Sequence, residues 1–146
     1  MKKRFKMLLL FAVALIAAAF TCSADQDPWT PKQLLEPADL AKTLNDAAAP
    51  KPIILNIGSV GDIKGAESIG EAGNADALAK LKKKLSTLPK DANIVIYCGC
   101  CPFADCPNIR PAFSLLNEMK FTHHKLLDLP ANLKVDWIDK GYPMND

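Results

Sequence analysis

The pattern of apolar and polar positions divides the chain into a leader and one folded domain. Met7 to Phe20 is an unbroken apolar run of 14 residues, preceded by Lys2, Lys3, Arg4 and Lys6 and followed by Cys22, Ser23 and Ala24. A positive start, an apolar middle and a small-residue end have the layout of a cleaved secretory signal. The run is shorter than the roughly 20 residues a membrane-spanning helix needs. Beyond it the periods change. "EPADLAKTL" (36–44) reads as a short helix, with Pro37 in its first turn and Leu40, Ala41 and Leu44 at helical spacing. "PIILNI" (52–57) and "NIVIY" (93–97) are short, nearly continuous apolar runs, the mark of parallel strands covered on both faces. "NADALAKLKKKLSTL" (74–88) is an amphipathic helix with a stripe of Leu78, Leu81, Leu85 and Leu88. Lys80, Lys82, Lys83 and Lys84 form its solvated face.

The remaining segments are read from their punctuation. Asp25 to Lys32 is expected to be an irregular lead-in. Five of the seven glycines fall between Gly58 and Gly73, which predicts a long connection over the edge of the sheet. No Gly-Lys-Ser/Thr ending is present there to make a phosphate loop. Asn108 is placed to cap a helix running to about Lys120, with Pro111 in the first turn. A strand follows around His124 to Leu129, and a last helix is expected to end before Gly141, with Pro143 beyond. Alternating strands and helices predict an α/β fold with a mostly parallel sheet and helices on both faces. We therefore expect a signal at residues 1–24 and a single domain at 25–146.

Composition changes this picture in two ways. Four of the 18 Lys and Arg residues and none of the 16 acidic residues lie in 1–24, so the remainder carries 14 against 16, a formal −2. That balance gives no reason to expect nucleic acid as a partner, or membrane contact other than through the signal segment. Export, with the bacterial periplasm as the expected location, also permits disulfides. Cys22 offers a lipid anchor as the lesser alternative, because Ala19, Phe20 and Thr21 suit a lipoprotein signal poorly.

The candidate chemistry is concentrated in "YCGCCPFADCPNIR" (97–110), where Cys98, Cys100, Cys101 and Cys106 fall within nine positions. Cys98 directly follows a strand, at the carboxyl edge where α/β sheets collect function. Loop N–H groups and a helix start can favour its thiolate, the form that attacks electrophilic sulfur. Other readings stay open. Cys98 and Cys101 form a C-x-x-C pair suited to thiol–disulfide exchange. Cys100 or Cys101 can pair with Cys106 to staple the loop, or act as a resolving thiol. Four thiolates can bind Zn(II) or Cu(I). Ligands one, two and five residues apart are crowded, however, and the adjacent His123 and His124 point to opposite faces of a strand. No metal or cofactor is therefore expected, with a copper- or zinc-binding module kept as an alternative.

With these residues in view, the chain resembles a rhodanese-like domain. "IVIYC" is similar to that family's strand ending in Tyr-Cys. "GDIKGA" (61–66) is similar to its Gly-His-Ile-Pro-Gly-Ala, with Asp62 for His and Lys64 for Pro. "DWIDKGYP" (136–143) is similar to its closing Trp and Gly-Tyr-Pro segment. The resemblance runs from about Trp29 to Pro143. It implies a sulfurtransferase in which Cys98 takes sulfane sulfur from thiosulfate or a related small anion as a persulfide and passes it to a thiol acceptor, small or on a periplasmic protein. It also implies that Gly99, Cys100, Cys101, Asn108 and Arg110 belong to the substrate-binding loop. The chain departs from the family in two places. Asn56 and Gly58 stand where a strand usually ends in Asp-x-Arg. Eleven residues, 99–109, separate Cys98 from Arg110, and aligning the next helix through Ala112, Leu116 and Phe121 puts the usual Arg position at Asn108. The lengthened loop makes the phosphatase and arsenate reductase activities of the same fold less expected.

Overall fold

Two central strands set the frame. A computed structural model describes residues 27–146, so the expected signal and Cys22 lie outside the described residues. Strands β1 (Leu34–Leu35), β2 (Ile53–Asn56), β3 (Ala66–Ser68), β4 (Ile94–Tyr97) and β5 (His124–Leu127) form one sheet in the order β1-β5-β4-β2-β3. Every pairing in it is parallel. β4 is buried at all four positions, which is why its sequence is an apolar run without alternation. Ile94 and Ile96 join the core on one face, and Val95 and Tyr97 join that on the other.

Helices cover both faces, as expected. Helix α1 (Pro37–Asn45) buries Leu40, Ala41 and Leu44 against Ile54, Val95 and Leu127. Helices α2 (Ala75–Leu85) and α3 (Ile109–Glu118) bury Leu81, Leu85, Phe113 and Leu116 against Leu55, Ile96 and Leu126. Each fully buried Leu contributes about 1.5–3 kcal/mol. Asn74 caps α2 by accepting the Ala77 N–H at 2.9 Å. Lys80, Lys82 and Lys83 are exposed, and Lys84 pairs with Glu67.

Some expected boundaries shift. The glycine-rich connection is not structureless: Ala66–Ser68 pairs in register with Ile54 to Asn56. The lead-in closes with a turn at Pro31–Gln33 and the short strand β1. The expected last helix is a single π-helical turn, Lys134–Ile138, which buries Trp137. The Trp137 Nε1–H donates to the Pro143 carbonyl at 3.0 Å, tying the turn to the chain end.

The topology also locates a crevice. The connection leaving β2 runs to β3 at one edge, whereas the connection leaving β4 runs to β5 on the other side. Such a reversal opens a gap beyond the carboxyl ends of the two strands, where ligands of open α/β sheets bind. Gly58 follows β2 into that gap, and Cys98 follows β4.

Candidate functional site

The chain enters the crevice under tight restraint. Ile57 N–H donates to the Tyr97 carbonyl at 2.8 Å, carrying β2 and β4 one step past their ends. Asn56, wholly buried, accepts from Gly58 N–H at 3.0 Å and donates to the Val60 carbonyl at 2.8 Å and to Asp62 Oδ1 at 2.9 Å. The Tyr97 hydroxyl accepts from Ile63 N–H at 3.0 Å and donates to the Gly61 carbonyl at 3.1 Å. Burial raises its pKa, so it stays protonated as a clamp. Asn56, Asp62 and Tyr97 thus hold the 56–63 segment beneath Cys98.

Two glycines make room for the sulfur. A Cβ at Gly58 would lie 2.6 Å from the Cys98 carbonyl oxygen and 2.9 Å from its Sγ. Gly99 has φ +74°, a conformation side chains disfavour, and a Cβ there would lie 2.8 Å from Leu133 Cβ. Gly99 turns the chain, and its carbonyl accepts from Leu133 N–H at 2.9 Å.

Cys98 is 3% exposed, and its Sγ lies 3.0 Å from Cys100 Sγ. Cys100 Sγ lies 3.6 Å from Cys101 Sγ. Cys100 is exposed, Cys101 half-buried and Cys106 buried, and all four are free thiols in the structure. Asn108 Nδ2–H donates to Cys98 Sγ at 3.2 Å, while its Oδ1 accepts from Gly73 N–H at 2.7 Å. Asn108 stands at the start of α3 without the expected side-chain cap, because both ends of its amide are used inside the site.

These contacts favour the Cys98 thiolate. The neighbouring Cys106 thiol is the main influence; burial opposes it; the Cys100 thiol, the Asn108 amide and the Cys100 N–H add to it, and the pKa is held at about 5. All of these donors are neutral. The neighbouring Cys98 sulfur, and after it burial, pushes the Cys106 thiol up. Burial, then contact with Cys98 and Cys101, pushes Cys100 up to about 12. Of Cys98, Cys100 and Cys106, Cys98 is therefore the first to carry a negative charge.

Arg110 has another partner. Its guanidinium bonds Asp27 at 2.5 Å and lies over the Trp29 ring at 5.1 Å. Trp29 in turn packs edge-on against Phe103 of the cysteine loop and Phe113 of α3, at 5.2 and 5.7 Å. His124 is buried against Phe113 at 5.2 Å, and His123 is exposed. The sequence carries no signal that places Gly58, Gly73 or Trp29 around the cysteine loop, whereas Asn108 is marked by its place in the alignment.

Two cavities open on the cluster. One of about 520 Å³ is lined by Glu71, Gly73, Asn74, Cys100, Cys101, Pro107 and Asn108. The other, of about 450 Å³, has Cys100 and Gly99 on one side and Asn132, Leu133 and Lys134 on the other. Lys134 is paired with Asp139 at 2.6 Å. Fold and site together define a parallel α/β protein with a cysteine cluster directly after its central strand. Comparisons with protein-family models, curated proteins and solved structures found no match.

Proposed function

We propose that the protein is a sulfurtransferase of the rhodanese type, working through a Cys98 persulfide. The observation that carries this reading is the seat of Cys98 Sγ, at the carboxyl end of β4 and within 3.2 Å of the Asn108 amide. The thiolate attacks the outer sulfur of a donor R–S–S⁻. A Cys98 S–S bond forms, the donor S–S bond breaks, and R–S⁻ leaves with the electron pair; from thiosulfate the leaving group is sulfite. An acceptor thiolate then attacks the outer sulfur and restores the Cys98 thiolate. This is covalent catalysis by an activated nucleophile. The donors around Cys98 are neutral dipoles, and Arg110 is engaged by Asp27. That balance supports a singly charged persulfide donor over doubly charged thiosulfate.

The test is sulfur loading of the reduced, metal-free protein, followed by intact mass. A small-molecule persulfide is expected to add one sulfur, removable by cyanide. No gain, or the same gain in Cys98→Ser, overturns the reading.

A second reading, dithiol–disulfide exchange, is favoured by one distance. The 3.0 Å approach of Cys98 and Cys100 makes Cys100, rather than the Cys101 of the C-x-x-C pair, the nearer resolving sulfur. Mild oxidation followed by peptide mapping distinguishes a Cys98–Cys100 bond from a Cys98–Cys101 bond.

A further inference from the structure

Three of the four sulfurs face one another closely enough to share a single ion. Those of Cys98, Cys100 and Cys101 all lie within 4.8 Å of one another, the nearest pair 3.0 Å apart. A metal held in the plane of three thiolates by bonds of about 2.3 Å sets those sulfurs about 4 Å apart, inside that range. We propose that Cys98, Cys100 and Cys101 form a three-coordinate site for Cu(I).

Ligand type and number select the ion. Thiolates are soft donors that favour Cu(I), zinc or iron–sulfur clusters. Structural zinc takes four ligands in a tetrahedron. Among the described residues the mutual set has three, with no imidazole, carboxylate or fourth thiol in it. His124 is packed on Phe113, and Glu71, which lines the adjoining cavity, accepts from Ser59 at 3.1 Å. A filled-shell monovalent ion is satisfied by three donors in a plane.

The surroundings suit a cation. Among the described residues, the cavity beside Cys100 and Cys101 is lined by one carboxylate, two amides and two thiols, with no Lys or Arg. Its walls carry Glu71 with the exposed Cys100 and half-buried Cys101, and the buried Cys98 sulfur lies 3.0 Å from that of Cys100. The step involves no electron transfer: the metal enters as Cu(I), three Cu–S bonds form, and the thiol protons leave to solvent. The site shares Cys98 with the proposed sulfur transfer but does not depend on it. Bound Cu(I) would occupy the nucleophile and block persulfide formation.

The test uses the reduced protein under nitrogen, titrated with Cu(I) against a chromophoric Cu(I) chelator. One ion per chain is expected, with three sulfur neighbours at about 2.3 Å by X-ray absorption. Cys100→Ser and Cys101→Ser are each expected to weaken binding by at least about 100-fold, beyond the usual loss of an outer-shell partner. Cys106→Ser is expected to change it far less. Two sulfur neighbours, unchanged affinity in Cys101→Ser, or equally tight Zn(II) in a four-sulfur site overturns the proposal. The absorption measurement needs no variant, so it stands even if a substitution disturbs folding. Sulfur loading of the metal-free protein is read separately, so either reading can fail alone.

Discussion

Asn108 joins two parts of the site that are far apart in sequence, with its oxygen on Gly73 N–H and its amide nitrogen on Cys98 Sγ. A charged-state donor of this kind lowers a thiol pKa by stabilising the anion. The sign is direct: below about 5 Cys98 is protonated and slow to react, and above it the thiolate reacts. Alkylation rate against pH is therefore expected to rise with a midpoint near 5, far below an ordinary thiol. Asn108→Ala removes one donor and should move the midpoint up. Asn108→Asp keeps the acceptor for Gly73 but places a negative charge beside the sulfur, so it should move the midpoint further up than alanine does. If aspartate left the midpoint unchanged, the Asn108 contact would not tune Cys98. The place of Cys98 was legible because a β-branched run ends at Tyr97. The role of Asn108 was hidden, because an Asn before a helix reads as a cap, and nothing local announces a bond to Gly73, 35 residues away. The Asp27–Arg110 pair was hidden for the same reason, since its members lie 83 residues apart.

At the scale of elements, the paired ends of β2 and β4 leave no space above Gly58. The atoms a Cβ would strike include the Cys98 backbone carbonyl, and the Ile57–Tyr97 hydrogen bond holds that backbone in place. Gly58→Ala is expected to destabilise the fold by about 1–3 kcal/mol, as overpacking does, and to slow Cys98 alkylation. Gly61→Ala is the contrast, because its Cβ would meet only the terminal methyl of Met144, at 3.3 Å. It should change stability by less than about 0.5 kcal/mol, as most surface substitutions do. Urea unfolding and alkylation of the two variants check both statements. The central strands were legible as continuous apolar runs, α1 and α2 by their helical period, and α3 by the Asn and Pro at its start. The edge strands were not. β1 has two residues and β3 three, too few to show a period, and both are strands only because a neighbour pairs with them. The glycines around β3 pointed to loop, correctly for its flanks and not for its centre.

Across the whole molecule, the cysteine loop is held from outside by the start of the described chain. Trp29 spans Phe103 and Phe113, under the Arg110–Asp27 pair. Within the loop, Phe103 N–H donates to the Leu129 carbonyl at 3.1 Å and Cys106 N–H to the Phe103 carbonyl at 3.3 Å. Trp29 is half-buried, whereas Trp137 is wholly buried in the core on the other face of the sheet. Removal of either ring should therefore act on a different unit of the fold. Local openings proceed at lower free energy than global unfolding wherever few buried contacts hold a segment. Trp29→Ala is expected to speed hydrogen exchange at the amides of Phe103 and Cys106 while exchange in β4 keeps its protection. Trp137→Ala is expected to cost about 3–5 kcal/mol and to lower protection throughout, β4 included. Exchange read by mass spectrometry or NMR separates the two patterns. If Trp29→Ala weakened β4 as much as the loop, the aromatic bridge would belong to the core. If the loop alone opened, the segment at Asp27 to Trp29 would set how firmly Cys100 and Cys101 are presented beside Cys98, and sulfur loading and Cu(I) binding should then both weaken in Trp29→Ala without loss of the fold.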